Sequence, residues 1–529
     1  MTPPRISPRM KPLTPHGNPA RNIHNSPGSL LVVALFSVAS ALLLGCGGGG
    51  GGGSTQPPPS TPDMGLITGV SDSTQFKIKN ASSGQVLAIA SDSQTAGAAI
   101  SQSADAGTSG QLWHFMPMGS NEYNVENLLT HQVMGIQNAS TTSGSPALQW
   151  ADNGTNDHLW SFYHLTDGNY LIKNVNSDLY LQVDTTIDQA PRATTGTGCT
   201  CQEWALTDTG TAAYPAPLTV TGTGIFVHDP NMIQDTTGTF WLYGTHNTLA
   251  SSADMSAFTA VSNGDINPDF SWWATENTTG TGGRTDIWAP SVMYANGIYY
   301  QYYSIPIYTN PAVAGSNSGP EAVIALAIST SPGGPWIDAG KIISSCGTTT
   351  GCTTGFNAID PAPFIDSTGN WWLSFGSWND GIHILQLDPT TGLRLGSNST
   401  LYNIAARGAG EEGSFIYPYV VSGVQYYFYF ASINVCCSGT ASTYRIIVGR
   451  STSPTGPFLD RGGLDLVNGG GTILLSSHSN IYGPGGEGVT TVGTQPVLVY
   501  HYYDGNVGGT PTLGLNNLYF DSSGWPYIK

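Results

Sequence analysis

Two stretches of this chain, "DPNMIQDTTGTFWL" from Asp229 and "DPAPFIDSTGNWWL" from Asp360, superimpose without a gap. Asp229 falls on Asp360, Asp235 on Asp366, Gly238 on Gly369 and Trp241 on Trp372. Each stretch reads as a strand, a tight glycine turn and an aromatic strand. A duplicated unit of that kind restricts the fold to architectures built by repetition. Weaker copies, "APSVMYANGIYYQYY", "EGSFIYPYVVSGVQYYFYF" and "GPGGEGVTTVGTQPVLVYHYY", lie between and after them, so units begin near residues 229, 290, 360, 412 and 484. Strand signals and turn glycines in each unit fit a five-bladed propeller, with four-stranded blades about a central channel. The innermost strands then start at one mouth of the channel, where Asp229 and Asp360 meet.

Both aspartates stand in apolar surroundings, and a buried carboxylate is costly unless it is paired or used. Proline follows each one. Pro230 removes a backbone donor and favours β or extended geometry at Asp229, which places the carboxylate at a strand start rather than within a ladder. The sequence carries its own control in "LDPTTGL", where Asp388 precedes proline in a polar, turn-forming setting and reads as an ordinary loop. Glycosidic hydrolysis needs a further acid, since one carboxyl protonates the leaving oxygen while another activates water. Glu411 and Glu412 open the fourth unit. Alternation along a strand sends only one of them into the channel.

A second repeat precedes the first. "FKIKN", "YNVEN" and "YLIKN" place Asn80, Asn127 and Asn174 at intervals of 47 residues, and each repeat ends in a tryptophan: Trp113, Trp160 and Trp204 in "QLW", "HLW" and "QEW". Residues 67–208 thereby resemble the ricin-type β-trefoil, and the chain as a whole is all-β. The tryptophans are expected to pack the trefoil core. Sugar contacts in that family use an Asp beside the central apolar pair, where this chain has Ala88, Gly135 and Gln182. The resemblance therefore implies weak or absent binding of free galactose, with Trp150 and Asp152 as candidates for a pocket in the second repeat.

Only 9% of the residues are charged, and 34 acidic against 16 basic residues give a net charge of −18. Such a chain is a poor partner for nucleic acid or anionic lipid and suits a neutral ligand. Residues 1–46 hold Arg5, Arg9, Lys11 and Arg21, no acid, and an apolar run from Leu30 to Leu44. They read as an export signal rather than a spanning helix. The ending "LLLGC" resembles a bacterial lipobox, which implies a lipid anchor at Cys46 as the chain's membrane contact. Residues 47–66, glycine-rich and then proline-rich, read as a tether. The remaining cysteines, Cys199 with Cys201, Cys346 with Cys352 and Cys436 with Cys437, suit disulfides of an exported protein better than zinc ligands, with the pairing left open.

The motifs "HDPNMI", "WAPSVMY", "FNAIDPAPF", "FGSW", "EEGSFIYP", "CCSGTASTYRIIVGRS", "GPGGEGV" and "LVYHYYD" run through residues 215–529. In this order they resemble glycoside hydrolase family 43 and its endo-arabinanase branch. The resemblance implies a five-bladed propeller in which Asp229 is the general base, Glu412 the general acid and Asp360 the carboxylate that orients and tunes the acid. It implies that His501 holds a calcium or similar ion in the channel. Trp288 is a candidate to stack on a sugar, and His228 a structural neighbour of Asp229 at the substrate site. Two departures from the family pattern are Ser291, where many members have Asp, and Gly486, where they have His. The expected substrate is plant cell-wall arabinan, cleaved with inversion by a monomeric enzyme. An α-L-arabinofuranosidase, β-xylosidase or galactanase of the same fold is the alternative, and a non-catalytic glycan-binding surface protein is the second.

Overall fold

The computed structural model describes residues 65–66, 70–192, 199–262, 266, 286–307, 321–346 and 355–529. The signal, Cys46, the body of the tether and Cys352, and with it the Cys346–Cys352 pairing, fall outside them. Among the described residues there are strands and short 3₁₀ turns but no α-helix.

Twelve strands from Thr74–Asn80 to Trp204–Ala212 form three repeats of four. Trp113, Trp160 and Trp204 are fully buried, and their Nε1 groups donate to the backbone oxygens of Leu87, Met134 and Leu181 at 3.1, 2.9 and 3.1 Å. The repeated asparagines join each repeat to the one before it. Asn127 Nδ2 donates to the oxygen of Gly110 at 3.0 Å, and Asn174 Nδ2 to that of Asp157 at 2.8 Å, while each Oδ1 accepts amides of its own turn. Asn80 closes the ring through the oxygen of Cys201. Such buried amides are satisfied on both sides, which fixes the threefold register.

Five further sheets follow in chain order. Their innermost strands are Asn231–Gln234, Trp288–Ala295, Ala362–Ile365, Glu411–Val421 and Ile481–Val492, so the units read from the sequence are blades one to five. Strand Thr221–Gly222 pairs in parallel with the outer strand of blade one, Ala257–Ala260. The ring closes through backbone bonds from Leu218 to Leu515 and from Leu513 to Ile225. The duplication persists in the hydrogen bonds. Asp235 accepts the amides of Thr237 and Thr239 and Trp241 Nε1, and Asp366 likewise accepts the amides of Thr368 and Asn370 and Trp372 Nε1. Gly238 and Gly369 complete both turns at φ of 92° and 88°, a conformation that favours glycine.

The trefoil and propeller share packing. Met116, Val133 and Tyr214 belong to the same buried apolar cluster as residues of blades three to five. Tyr214, in the connection between the two, donates its hydroxyl to Glu126 at 2.7 Å, and Glu126 also meets His114 and His131 at 3.0 and 2.9 Å. Burial opposes ionisation of Glu126, but the two histidines outweigh it and bring its pKa down to about 2.

Replacing Trp160 with Ala opens a cavity and leaves the Met134 oxygen unpaired. The loss expected in chemical denaturation is about 3–5 kcal/mol.

Candidate active site

Every innermost strand enters the channel through a residue with positive φ: Asp229 at 50°, Ala289 at 41°, Asp360 at 57°, Gly413 at 66° and Gly486 at 58°. In blades two, four and five these residues sit in β-bulges. The extended geometry expected before Pro230 is therefore not adopted. Tertiary bonds override the local preference: the amide of Asp229 donates to His501 Nδ1 at 3.1 Å, and that of Asp360 to Ser304 Oγ at 3.0 Å. Bulges re-aim side chains, and here they line one pocket with successive layers from the blades. Asp229, Ala289, Asp360, Gly413 and Gly486 form one layer, and Pro230, Pro290, Pro361, Ser414 and Glu487 the next. The residues one step before are His228, Trp288, Ile359, Glu412 and Gly485. Blade register thus puts Glu412, His228 and Trp288 in equivalent places.

Asp229 Oδ2 lies 2.8 Å from His228 Nδ1 and accepts the Thr245 hydroxyl at 2.6 Å. Burial opposes its charge, but His228, His501 and Thr245 outweigh that and hold the carboxyl well below its usual range. Asp229 is ionised. Burial likewise disfavours charge on His228, yet Asp229 and the more distant Glu412 raise its pKa, and its Nε2 contacts the Tyr503 hydroxyl at 2.9 Å.

Glu412 faces the opposite way in its protonation. Its Oε2 accepts Ser377 Oγ at 2.7 Å and its Oε1 accepts the Tyr444 hydroxyl. Burial, reinforced by Asp229, pushes its pKa up to about 7. Asp360 is driven far above the usual carboxylate range by burial and by Glu412 and Asp229, and its Oδ2 accepts the amide of Gly413 at 3.0 Å. That bond pins the backbone directly after Glu412. Glu411 turns away, accepting the Tyr429 hydroxyl at 2.5 Å, as strand alternation requires.

The structure adds Glu487, which the sequence reading quoted within "GPGGEGV" without singling it out. It lines the pocket beside Asp229 and Asp360, accepts Ser432 Oγ at 2.8 Å, and is raised by burial to about 8. Carrying the duplicated register into the fifth unit finds it, one step after the positive-φ residue. Ser377, Thr245 and Tyr444 have no such signal, because chain separation hides their contacts. Trp288 is half-buried at the channel mouth, with Nε1 donating to Asp286 at 2.9 Å. The vicinal pair Cys436–Cys437 is bonded, and Cys437 Sγ lies 3.7 Å from His228 Nε2. Cys199 and Cys201 are also joined.

His501 is fully buried and stacks on His228 with ring centroids 3.9 Å apart. Burial first, and then His228, hold its pKa well below the ordinary value, so the ring is neutral. Its Nε2 is buried with no hydrogen-bond partner among the described residues. With Nδ1 accepting the Asp229 amide the neutral ring carries its proton on Nε2, so an ion at Nε2 requires the other tautomer, with the Nδ1 proton toward Asp229 Oδ1 3.8 Å away; His228, Asp229 and His501 together offer ligand atoms within 4.8 Å of one another. Calcium takes six to eight oxygen ligands, so water has to supply most of its shell. A side chain at Gly486 would crowd this group, since a Cβ there falls 2.7 Å from both Asp229 Oδ1 and His501 Nδ1.

The family model for Glycosyl hydrolases family 43 matches residues 221–526, and the ricin-type beta-trefoil lectin domain-like model matches residues 66–150. The chain is 38% identical over 325 residues to an extracellular endo-alpha-(1->5)-L-arabinanase of Bacillus subtilis, spanning 60% of this chain and 92% of that protein. It is 35% identical over 319 residues to arabinan endo-1,5-alpha-L-arabinosidase A of Aspergillus niger, spanning 57% and 90%. Among solved structures, a GH43 endo-arabinanase from Bacillus licheniformis is similar at a TM-score of 0.50 and 37% identity, over 58% of this chain and 99% of that one. An exo-1,5-alpha-L-arabinanase from a bovine ruminal metagenomic library is similar at a TM-score of 0.50 and 30% identity, over 57% and 96%. The family match begins at Thr221, in the outermost strand of blade one, and ends at Pro526, in the last strand of blade five. It thus spans the whole ring of blades, and the chain belongs to the glycosyl hydrolases family 43.

Proposed function

We propose that this chain hydrolyses α-1,5-linked L-arabinan of plant cell walls at internal bonds, with inversion of the anomeric centre. The observation that carries this reading is that Asp229 and Asp360 line one pocket with Gly413, the residue after Glu412, and that all three carboxyls act on one another, with Asp229 ionised and Glu412 able to hold a proton near neutrality. Relatives named as endo-arabinanases supply the substrate class. The same chemistry at chain ends is the second reading, favoured by the equal fold similarity to an exo-acting structure.

In this reading Asp229 takes a proton from water as the water oxygen bonds to the anomeric carbon. Glu412 gives its proton to the glycosidic oxygen as that bond breaks. Asp360 holds the loop after Glu412, while burial and the charge of Asp229 keep the acid protonated. Trp288 offers a face for a sugar ring, and His228 fixes the carboxylate of Asp229. In the tautomer with its proton on Nδ1, His501 would hold an ion through Nε2, with water completing the shell, and the ion would add positive charge beside this acidic channel. The basic segment, apolar run and "LLLGC" support export with a lipid anchor at Cys46, while the relative from Bacillus subtilis is described as extracellular.

Product sizing on linear arabinan tests the reading, with a ladder of oligosaccharides expected; arabinose alone supports the exo alternative. Asp229→Ala and Glu412→Ala are each expected to lower turnover at least roughly a hundredfold, and Asp360→Asn severely. Glu411→Gln leaves turnover near normal, because its carboxyl faces Tyr429. Since Glu412 must be protonated, turnover should fall as pH rises through about 7. Loss in Glu411→Gln with retention in Glu412→Ala reverses the choice of acid.

Chelation tests the ion. A ligand bound only to the folded state stabilises it, so removal lowers the melting temperature, and His501→Ala abolishes that response. An unchanged melting curve in both tests leaves His501 as a core residue.

A further inference from the structure

The second trefoil repeat, a candidate sugar pocket in sequence, is closed by the propeller. Asp152 and Arg445 are 2% and 1% exposed, and Arg445 Nη1 lies 3.1 Å from Asp152 Oδ2. Arg445 Nη2 donates to Asn124 Oδ1, also at 3.1 Å. Both anchors belong to the trefoil, and Asn124 is itself held by donating to the oxygen of His158 at 3.0 Å. The family's ligand position in this repeat is no longer open either, because a Cβ at Gly135 would fall 2.3 Å from His158 Cδ2. Burial opposes the charge of Asp152, but Arg445, His158 and Arg407 outweigh it and hold the carboxyl far below its usual range. Asp152 therefore meets the propeller's arginine, not a sugar.

Arg445 opens a strand of blade four, Arg445–Ser451. It pairs with Ile433, which pairs with Glu411, so one rung of the sheet runs from the arginine that meets the trefoil to the residue beside Glu412. Tyr444, directly before Arg445, is buried and donates its hydroxyl to Glu412 Oε1. A second contact reaches the same place: Gly154 packs on Ala409, where a Cβ would lie 2.0 Å from the Ala409 Cβ, in the segment that leads into Glu411 and Glu412. Removing Asp152 leaves a buried guanidinium without its counter-charge, which drives Arg445 towards water and moves the start of its strand.

We propose that the trefoil positions the proton donor: Asp152, by fixing Arg445, holds Tyr444 against Glu412. This rests on the reading of Glu412 as general acid. Asp152 is a positioning residue in this account, and the second repeat of the trefoil serves the propeller as a docking surface rather than as a lectin site.

The test compares two substrates on the full chain. Hydrolysis of linear α-1,5-arabinan needs a proton on its leaving alkoxide, whereas a 2,4-dinitrophenyl α-arabinobioside releases a phenolate that needs none. Asp152→Asn is expected to lower kcat on arabinan about tenfold or more through misplacement of the acid, with KM little changed and the aryl substrate spared. Tyr444→Phe should show the same split. Equal loss on both substrates, or no loss on arabinan, overturns the proposal. Glu412→Ala separates the two readings: if it spares the aryl substrate and Asp152→Asn does not, the trefoil's role fails alone. If Glu412→Ala shows no split, the acid assignment fails and takes the proposal with it. Melting curves report folding, and should Asp152→Asn not fold, Asn124→Ala leaves the Asp152–Arg445 pair in place, removes the Nη2 contact together with the bond to the His158 oxygen, and carries the same comparison.

Discussion

A residue held at positive φ where each innermost strand enters the channel is the constraint on which the site depends. Glycine meets it freely at Gly413 and Gly486, but Asp229, Ala289 and Asp360 occupy the same region at about 1–3 kcal/mol each. Bonds from neighbouring blades hold the two aspartates there, through His501 and Ser304. The strain is offset by long-range contacts, so the carboxylates are aimed before any substrate arrives. Preorganised charge of this kind is a large source of rate enhancement in enzymes.

Crowding then sorts the protons. Asp229, Asp360, Glu412 and Glu487 are gathered about one channel with His228 and His501, in a chain poor in cations. They do not all ionise together in a low-dielectric space. Asp229 keeps its charge because His228 lies against it. Glu412, Asp360 and Glu487 lack such a partner, and burial raises all of them. One ionised carboxylate beside three raised ones follows from placement.

Repetition made most of this legible in the sequence. The gap-free match of Asp229 with Asp360 located the blades, and the spaced asparagines and tryptophans located the trefoil. Alternation allowed only one of Glu411 and Glu412 to face the channel, and the family resemblance chose Glu412. Local rules failed where distant residues decide the backbone: proline after Asp229 argued for an extended conformation, and His501, 272 residues away, imposes another. Asp152 was singled out for a sugar pocket instead of its ion pair for the same reason, since its partner Arg445 belongs to a different repeat system. Glu487 was within reach of the register argument, whereas Tyr444 and Ser377 were not, because nothing in their own neighbourhood marks them.

The trefoil is therefore part of the enzyme's frame as well as a repeat of its own, sharing an apolar cluster and a buried ion pair with the blades. The central claim is that an ionised Asp229 and a protonated Glu412 act on opposite sides of the anomeric carbon with water between them. The most direct measurement is NMR of fresh product from linear arabinan during the first turnovers. The account predicts that the β-anomer appears first, because water attacks the face opposite the leaving group. Initial release of the α-anomer would mean retention through a covalent intermediate and would contradict it.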